Sequence, residues 1–139
     1  MAICKKAFTL KQLNDMGKHC AVGHLGIEIS AYGENWIEAK MPVDHRTTQP
    51  FGLLHGDVSV ALAESFGSLA GFLCIEEGQS ALGLDINANH LRPVKQGVVI
   101  AKAMPISLSK NIHVWQIDIR DEQDKLCCVS RLTLSIKYL

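Results

Sequence analysis

With 139 residues, 47% of them hydrophobic, the chain is long enough to bury one core and is expected to form a single domain over 1–139. Fourteen basic residues balance fourteen acidic ones, which argues against a general nucleic-acid binder or a membrane-surface protein. Five cysteines (Cys4, Cys20, Cys74, Cys127 and Cys128) follow no disulfide-framework or zinc-ligand spacing, so reduced thiols in a cytoplasmic protein without a metal site are expected.

Met1 to Phe8 carries Lys5 and Lys6 with no long apolar run behind them, so no secretory leader is expected. Thr9 and Gln12 form a capping-box pattern, and Leu10, Leu13 and Met16 continue it as a short amphipathic helix stopped by Gly17. Alternation of Leu25, Ile27 and Ile29 predicts a strand from His24 to Tyr32, and Gly33-Glu34-Asn35 turns it into a second from Trp36 to Val43. Pro42 marks an edge or a strand terminus. Asp44 to Leu54 reads as a loop. From Val58 to about Cys74 the chain is apolar nearly all the way round, which predicts a helix roughly 25 Å long, buried on every side and too short for a confident membrane span. Ala61, Ala63, Gly67, Ser68, Ala70 and Gly71 would let a sheet approach it closely.

Glu76-Glu77-Gly78 ends that helix. A strand follows from Ala81 to His90, with Leu82, Leu84, Ile86 and Ala88 expected on one face and Gly83, Asp85, Asn87 and Asn89 on the other. Further strands are predicted over Gly97–Ile106, Ile112–Arg120 and Leu126–Lys137, with Cys127 and Cys128 on opposite faces of the last. Strands in runs about one apolar helix indicate an α+β fold, an antiparallel sheet wrapped around that helix.

One residue does not suit the helix. Glu64 is a carboxylate among apolar neighbours, and burying it is unfavourable unless it is paired or hydrogen-bonded. A structural carboxylate would explain it, but the surroundings favour chemistry. Ser68 lies one turn on, His55-Gly56 opens the helix with free backbone N–H groups at its positive end, and Gln49 adds an amide just before. Ser65, in Ala63-Glu64-Ser65-Phe66-Gly67, is no nucleophile elbow, because it lies mid-helix. Taken alone, His90 reads as a strand-end histidine, Trp36 and Trp115 as core, and His19, His24, His45 and His113 as surface or packing residues.

His55-Gly56, with Glu64 nine residues after His55, resembles the hotdog-fold acyl-CoA thioesterases. The small bacterial aromatic acyl-CoA branch is closest, comprising the 1,4-dihydroxy-2-naphthoyl-CoA thioesterases and the enterobactin proofreading thioesterase. Met41-Pro42-Val43-Asp44, Gln49-Pro50-Phe51-Gly52, Leu54-His55-Gly56, Ala63-Glu64-Ser65, Asn87-Ala88-Asn89-His90 and Val114-Trp115-Gln116-Ile117 carry the resemblance, which covers nearly the whole chain. It implies hydrolysis of aromatic or medium-chain acyl-CoA, with Glu64 as nucleophile or general base. The Gly56 N–H would polarise the carbonyl, and Gln49, His55 and Ser68 would position substrate and water. Coenzyme A, part of the substrate rather than a cofactor, would contact Gly83 and His90, Leu91, Arg92 and Pro93, with its nucleotide end near Ser109, Lys110 and Asn111. It also implies a homo-oligomer, a dimer or tetramer, with sites between subunits. Where the family usually has a second glycine this chain has Asp57, an N-cap type of residue whose charge is expected to lower activity or alter substrate geometry. Alternatives are a thioesterase for groups on a carrier protein, a non-catalytic acyl-CoA binding module, and a dehydratase of the same fold, which lacks a convincing His/Asp pair here.

Overall fold

A computed structural model describes residues 1–139. Helices α1 (Leu10–Met16) and α2 (Ala21–His24) precede strands β1 (Glu28–Tyr32) and β2 (Ile37–Val43). Helix α3 (Gly56–Leu73) leads into β3 (Gln79–His90), β4 (Gly97–Leu108), β5 (Ile112–Arg120) and β6 (Leu126–Tyr138). Every pairing is antiparallel, and the six strands form one sheet in the order β1-β2-β4-β5-β6-β3. The expected α+β architecture, a sheet curved about one long helix, is therefore the one the chain adopts. No helix is long and apolar enough to cross a membrane.

The sheet reaches α3 through its small residues. A Cβ on Gly67 would lie 2.8 Å from Leu132 Cδ2, and one on Gly71 would overlap Leu134 Cδ1. These glycines serve close approach, and the contact seals Phe66, Leu62 and Leu73 against Trp115, Ile117, Leu132 and Leu134, all buried. The capping box forms as read: Gln12 N donates to Thr9 Oγ1 at 3.1 Å and Thr9 N to Gln12 Oε1 at 2.9 Å. Pro42 stands next to last in β2, opposite Val98 and beyond the last residue that β1 pairs.

Three expectations need correction. The central helix is not buried on every side: Val58, Ala61, Glu64, Ser65, Ser68, Leu69 and Phe72 are only half-buried, because one sheet covers one side of a cylinder. Its start at Gly56, behind the N-cap His55, is the one that His55-Gly56 indicated. The strand predicted from His24 begins at Glu28, since Ala21–His24 makes a helical turn that ends at Gly26 with φ +74°. Trp115 is fully buried as expected, whereas Trp36 is half-buried and carries the Lys102 ammonium over its ring at 4.4 Å.

The alternation read in β3 also fails, for a reason that bears on the site. A bulge between Gly83 and Asp85 inserts one residue against β6, where Gly83 pairs with Leu134 and Asp85 with Thr133. Side chains swap faces across such an insertion. Ala81 and Gly83 consequently share the helix-facing side with Ile86 and Ala88, whose partners Leu132 and Ser130 are buried. Leu82 falls instead on the outer side with Asp85, Asn87 and Asn89. Leu84, the inserted residue, is 61% exposed. Cys127 and Cys128 are both buried although adjacent, because the chain after β3 folds back there: Leu91 N donates to Cys127 O at 2.7 Å.

Candidate active site

The loop before α3 is held by its own polar groups. Thr47 Oγ1 donates to Pro42 O at 2.8 Å, His55 N to Thr47 O at 2.8 Å and Leu54 N to Val94 O at 2.7 Å. Within it, Gln49 organises a turn: its N–H donates to Leu53 O at 2.8 Å, and its Oε1 accepts from Phe51 N and Leu53 N. Gly52, at φ +82°, supplies the left-handed residue that the turn needs. With Oε1 occupied by backbone, Gln49 keeps its Nε2–H₂ donors unpartnered.

His55, not Asp57, is the N-cap. Its Nδ1 accepts from Asp57 N at 3.0 Å, and its carbonyl accepts from Val58 N and Ser59 N, both at 3.1 Å. An accepting Nδ1 puts the ring proton on Nε2, so His55 presents an N–H outward. Asp57 stands exposed in the first helical turn, where its charge suits the dipole. This leaves one amide of the opening turn without an intramolecular partner, Gly56 N–H.

Gly56 borders a cleft of about 410 Å³ that Gln49, His90, Leu91, Arg92 and Pro93 also line, together with the buried Ser59, Cys127 and Cys128. His90 packs directly on the helix start: a Cβ at residue 56 would come within 3.1 Å of its Nε2. The structure thus gathers Gln49, Gly56 and the His90–Pro93 segment around one helix N-terminus. Such a place suits an anion or a carbonyl oxygen gaining negative charge.

Glu64 is not in that cleft. It stands eight positions after Gly56, about 12 Å along the axis. Its carboxylate makes no hydrogen bond or ion pair and lies against Gly83, where an added Cβ would overlap Oε1. The bulge in β3 is what turns Gly83 toward it. Ser68 follows one turn on, on the same half-buried side. The Ser109–Asn111 turn is farther still. It joins β4 to β5, with Ser109 Oγ donating to Ile112 O at 2.7 Å, and Ser109 and Lys110 border a cleft with Cys74 and Ile75 at the other end of α3. That end lies about 27 Å from Gly56. No three His, Cys, Asp or Glu side chains are grouped to hold a metal ion.

Ser59, Cys127 and Cys128 were not legible as cleft residues. Ser59 could have been, since it lies three residues after Gly56 on the same helix face. The cysteines could not, because β6 reaches the helix start only through the sheet. Arg92 gains a distant acidic neighbour in the same way, with Nε 3.9 Å from Asp121 Oδ2.

The thioesterase superfamily profile matches residues 51–128. A 1,4-dihydroxy-2-naphthoyl-CoA hydrolase of Escherichia coli is 52% identical over 134 residues, 96% of this chain and 98% of the relative. A proofreading thioesterase of Cronobacter turicensis is 47% identical over 134 residues, 96% of this chain and 98% of the relative. A crystal structure of a thioesterase from Haemophilus influenzae superposes with a TM-score of 0.97 at 69% identity, covering 99% of this chain and 96% of the other.

Proposed function

The chain belongs to the thioesterase superfamily, and from that premise we propose that it hydrolyses aromatic or medium-chain acyl-CoA thioesters to the free acid and coenzyme A. The observation that carries this reading is the unpartnered Gly56 N–H at the front of α3, in a cleft beside the free Gln49 amide. The thioester carbonyl accepts from Gly56 N–H there, with Gln49 and the His55 Nε2–H orienting substrate and water.

Glu64 acts on that carbonyl from a second copy of the chain, because its own Gly56 is about 12 Å away. β3 supports such an assembly. It is an edge strand of 12 residues whose unpaired backbone groups can pair with another β3. As general base, Glu64 takes a proton from water while the water oxygen adds to the carbonyl carbon. The oxyanion forms against Gly56 N–H, and its collapse expels the coenzyme A thiolate, whose thiol pKa near 8.5 makes a strong acid unnecessary. As nucleophile, Glu64 forms an anhydride that water then cleaves, with the same leaving group. Ser68 orients the water. The His90–Pro93 segment and Gly83 contact the pantetheine arm, and Ser109, Lys110 and Asn111 contact the nucleotide end. The assembly is a dimer or a pair of dimers, and a cytoplasmic location is supported by the five free thiols.

Replacing Glu64 with Gln, tested on aromatic and aliphatic acyl-CoA substrates, is expected to lower kcat by about 10²–10⁴ while leaving substrate binding intact. Wild-type turnover in that variant would remove Glu64 from the chemistry. Asp57→Gly run alongside reports whether the Asp57 charge restrains the rate. Tight binding with no turnover in the wild type, regained in Asp57→Gly, would make the protein a binding module blocked by Asp57. Acyl or aryl groups on a phosphopantetheinyl carrier protein are the second reading, and rates on matched CoA and carrier-protein thioesters separate the two.

A further inference from the structure

The turn between β5 and β6 carries a carboxylate with one oxygen to spare. Asp121 Oδ1 accepts from Gln123 N and Lys125 N, both at 2.9 Å, and Asp121 N donates to Lys125 O at 3.0 Å. Those bonds complete the turn and leave Oδ2 over. Oδ2 faces Arg92 Nε across 3.9 Å, from a side chain that is only 14% exposed. The arginine next to Asp121 in sequence is engaged elsewhere: Arg120 Nη1 donates to Asp124 O at 3.2 Å, and its Nε lies 3.9 Å from Asp124 Oδ1. Lys95 borders an adjoining groove with Asp121 and Glu122 and does not line the cleft at Gly56. Arg92 is therefore the one cation that touches both Asp121 and that cleft.

The pair does little for stability. A gap of 3.9 Å exceeds a hydrogen bond, and Arg92 is 47% exposed, where ion pairs contribute little. What the carboxylate can do is bias direction. Arginine has much rotamer freedom to lose, so a nearby charge that narrows its range reduces the ordering a ligand must impose. The backbone of the segment is already fixed: Leu91 N and Arg92 N donate to Cys127 O at 2.7 and 3.3 Å, and Leu54 N to Val94 O at 2.7 Å. With Nε turned to Asp121, the forked Nη end of Arg92 is left for a ligand in the cleft.

A pantetheine arm is uncharged along its length and carries a phosphate only at its head, where it joins the nucleotide of coenzyme A or a serine of a carrier protein. We infer that Asp121 is a positioning residue, which sets the Arg92 guanidinium to take that head phosphate. The inference rests on the thioesterase reading, which brings the arm into the cleft, and adds the residue that prepares its charged contact. Both carriers share this phosphate, so the contact serves either source.

Binding tests this without turnover, by calorimetry on the full-length protein with hydrolysis-inert hexyl thioethers of coenzyme A, phosphopantetheine and pantetheine. Arg92→Ala should weaken the two phosphate-bearing ligands by about tenfold or more, the loss of one charge-assisted contact, and spare the pantetheine thioether. Asp121→Asn keeps an oxygen for Gln123 N and Lys125 N. It should weaken the same two ligands by about two- to fivefold, less at high salt. In the Arg92→Ala background it should add nothing, the mark of one residue acting through another. Equal losses with and without Arg92, a loss on the pantetheine thioether, a loss on the coenzyme A thioether alone, or no loss at all overturns the assignment. A carrier protein bearing the same thioether shows the source: whichever carrier binds more tightly and keeps the Asp121 effect supplies the phosphate, and absence of that effect on both overturns the proposal. Hydrolysis of hexanoyl-CoA is followed in parallel. An Asp121 effect without turnover supports the positioning role and sinks the thioesterase reading; turnover without an Asp121 effect does the reverse.

Discussion

The two ends of α3 are finished in opposite ways. At the back, the N-terminal segment closes over the last turn: Lys5 N donates to Leu73 O at 2.8 Å, Cys74 N to Gly71 O at 3.0 Å, and Lys6 Nζ to Ile75 O and Glu76 O. Two of the last carbonyls, Gly71 O and Leu73 O, thus find partners, and cations stand at the negative pole of the helix. Burial pushes the Cys74 thiol there up to about 12, so it stays protonated and inert. At the front, His55 caps three amides and stops short of the fourth. One pole is covered by the N-terminal segment, whereas the other leaves an amide free beside a cleft.

This contrast can be broken from the front first. Pro fits the first position of a helix, Gly56 N–H donates to nothing within the chain, and His55 at φ −68°, ψ 129° already has the backbone that precedes proline. Gly56→Pro should therefore keep the helix start, lower the thermal midpoint slightly as His90 gives way to a Cβ 3.1 Å from its Nε2, and lower kcat by about 10²–10³, the usual effect of deleting one oxyanion donor. A variant with wild-type kcat would mean that the free amide is not the electrophile.

The second change concerns packing toward the back. Gly71→Ala drives a methyl into Leu134 Cδ1. Overpacking of this kind costs about 1–3 kcal/mol, read as a lower urea midpoint, while the rate per folded molecule stays the same. A rate loss larger than the unfolded fraction would show that the ends are coupled.

The smallest effect is a pH slope from the back end. His113 is buried with Nδ1 unpartnered, and burial, helped by the Lys5 charge, lowers its pKa below the ordinary 6.5. Its folded pKa lies below its unfolded one, so the unfolded chain takes up the proton first. Stability should be flat above about pH 6.5 and fall below it, by at most about 1.4 kcal/mol per pH unit. His113→Gln should flatten the urea midpoint between pH 7.5 and 5.5, and an unaltered slope would assign the titration elsewhere.

Much of the site could be read from the chain because its signals are local. An apolar helix with one carboxylate, a His-Gly start and a preceding Gln are all legible within 16 residues of sequence, Gln49 to Glu64. The lone Glu64 stood out because carboxylates avoid such helices, and the reading located it correctly on α3. Asp57 is of a capping type, but cap identity depends on which side chain reaches the free amides, and His55 reaches them first. The half-buried stripe on α3 was hidden as well. Apolar residues all round a helix say nothing about how much cover a single sheet supplies.

The sequence by itself determined the element order, the helix that the sheet packs on, and the chemistry available at Glu64, Gly56 and Gln49, since hydrophobic period, capping patterns and side-chain type act over a few residues. Tertiary structure alone decided that β3 bulges at Gly83 and turns it toward Glu64, that His90 closes on Gly56, and that the turn after β5 brings Asp121 to Arg92. Those outcomes depend on pairing between strands distant in sequence, where inserting one residue reverses every face beyond it.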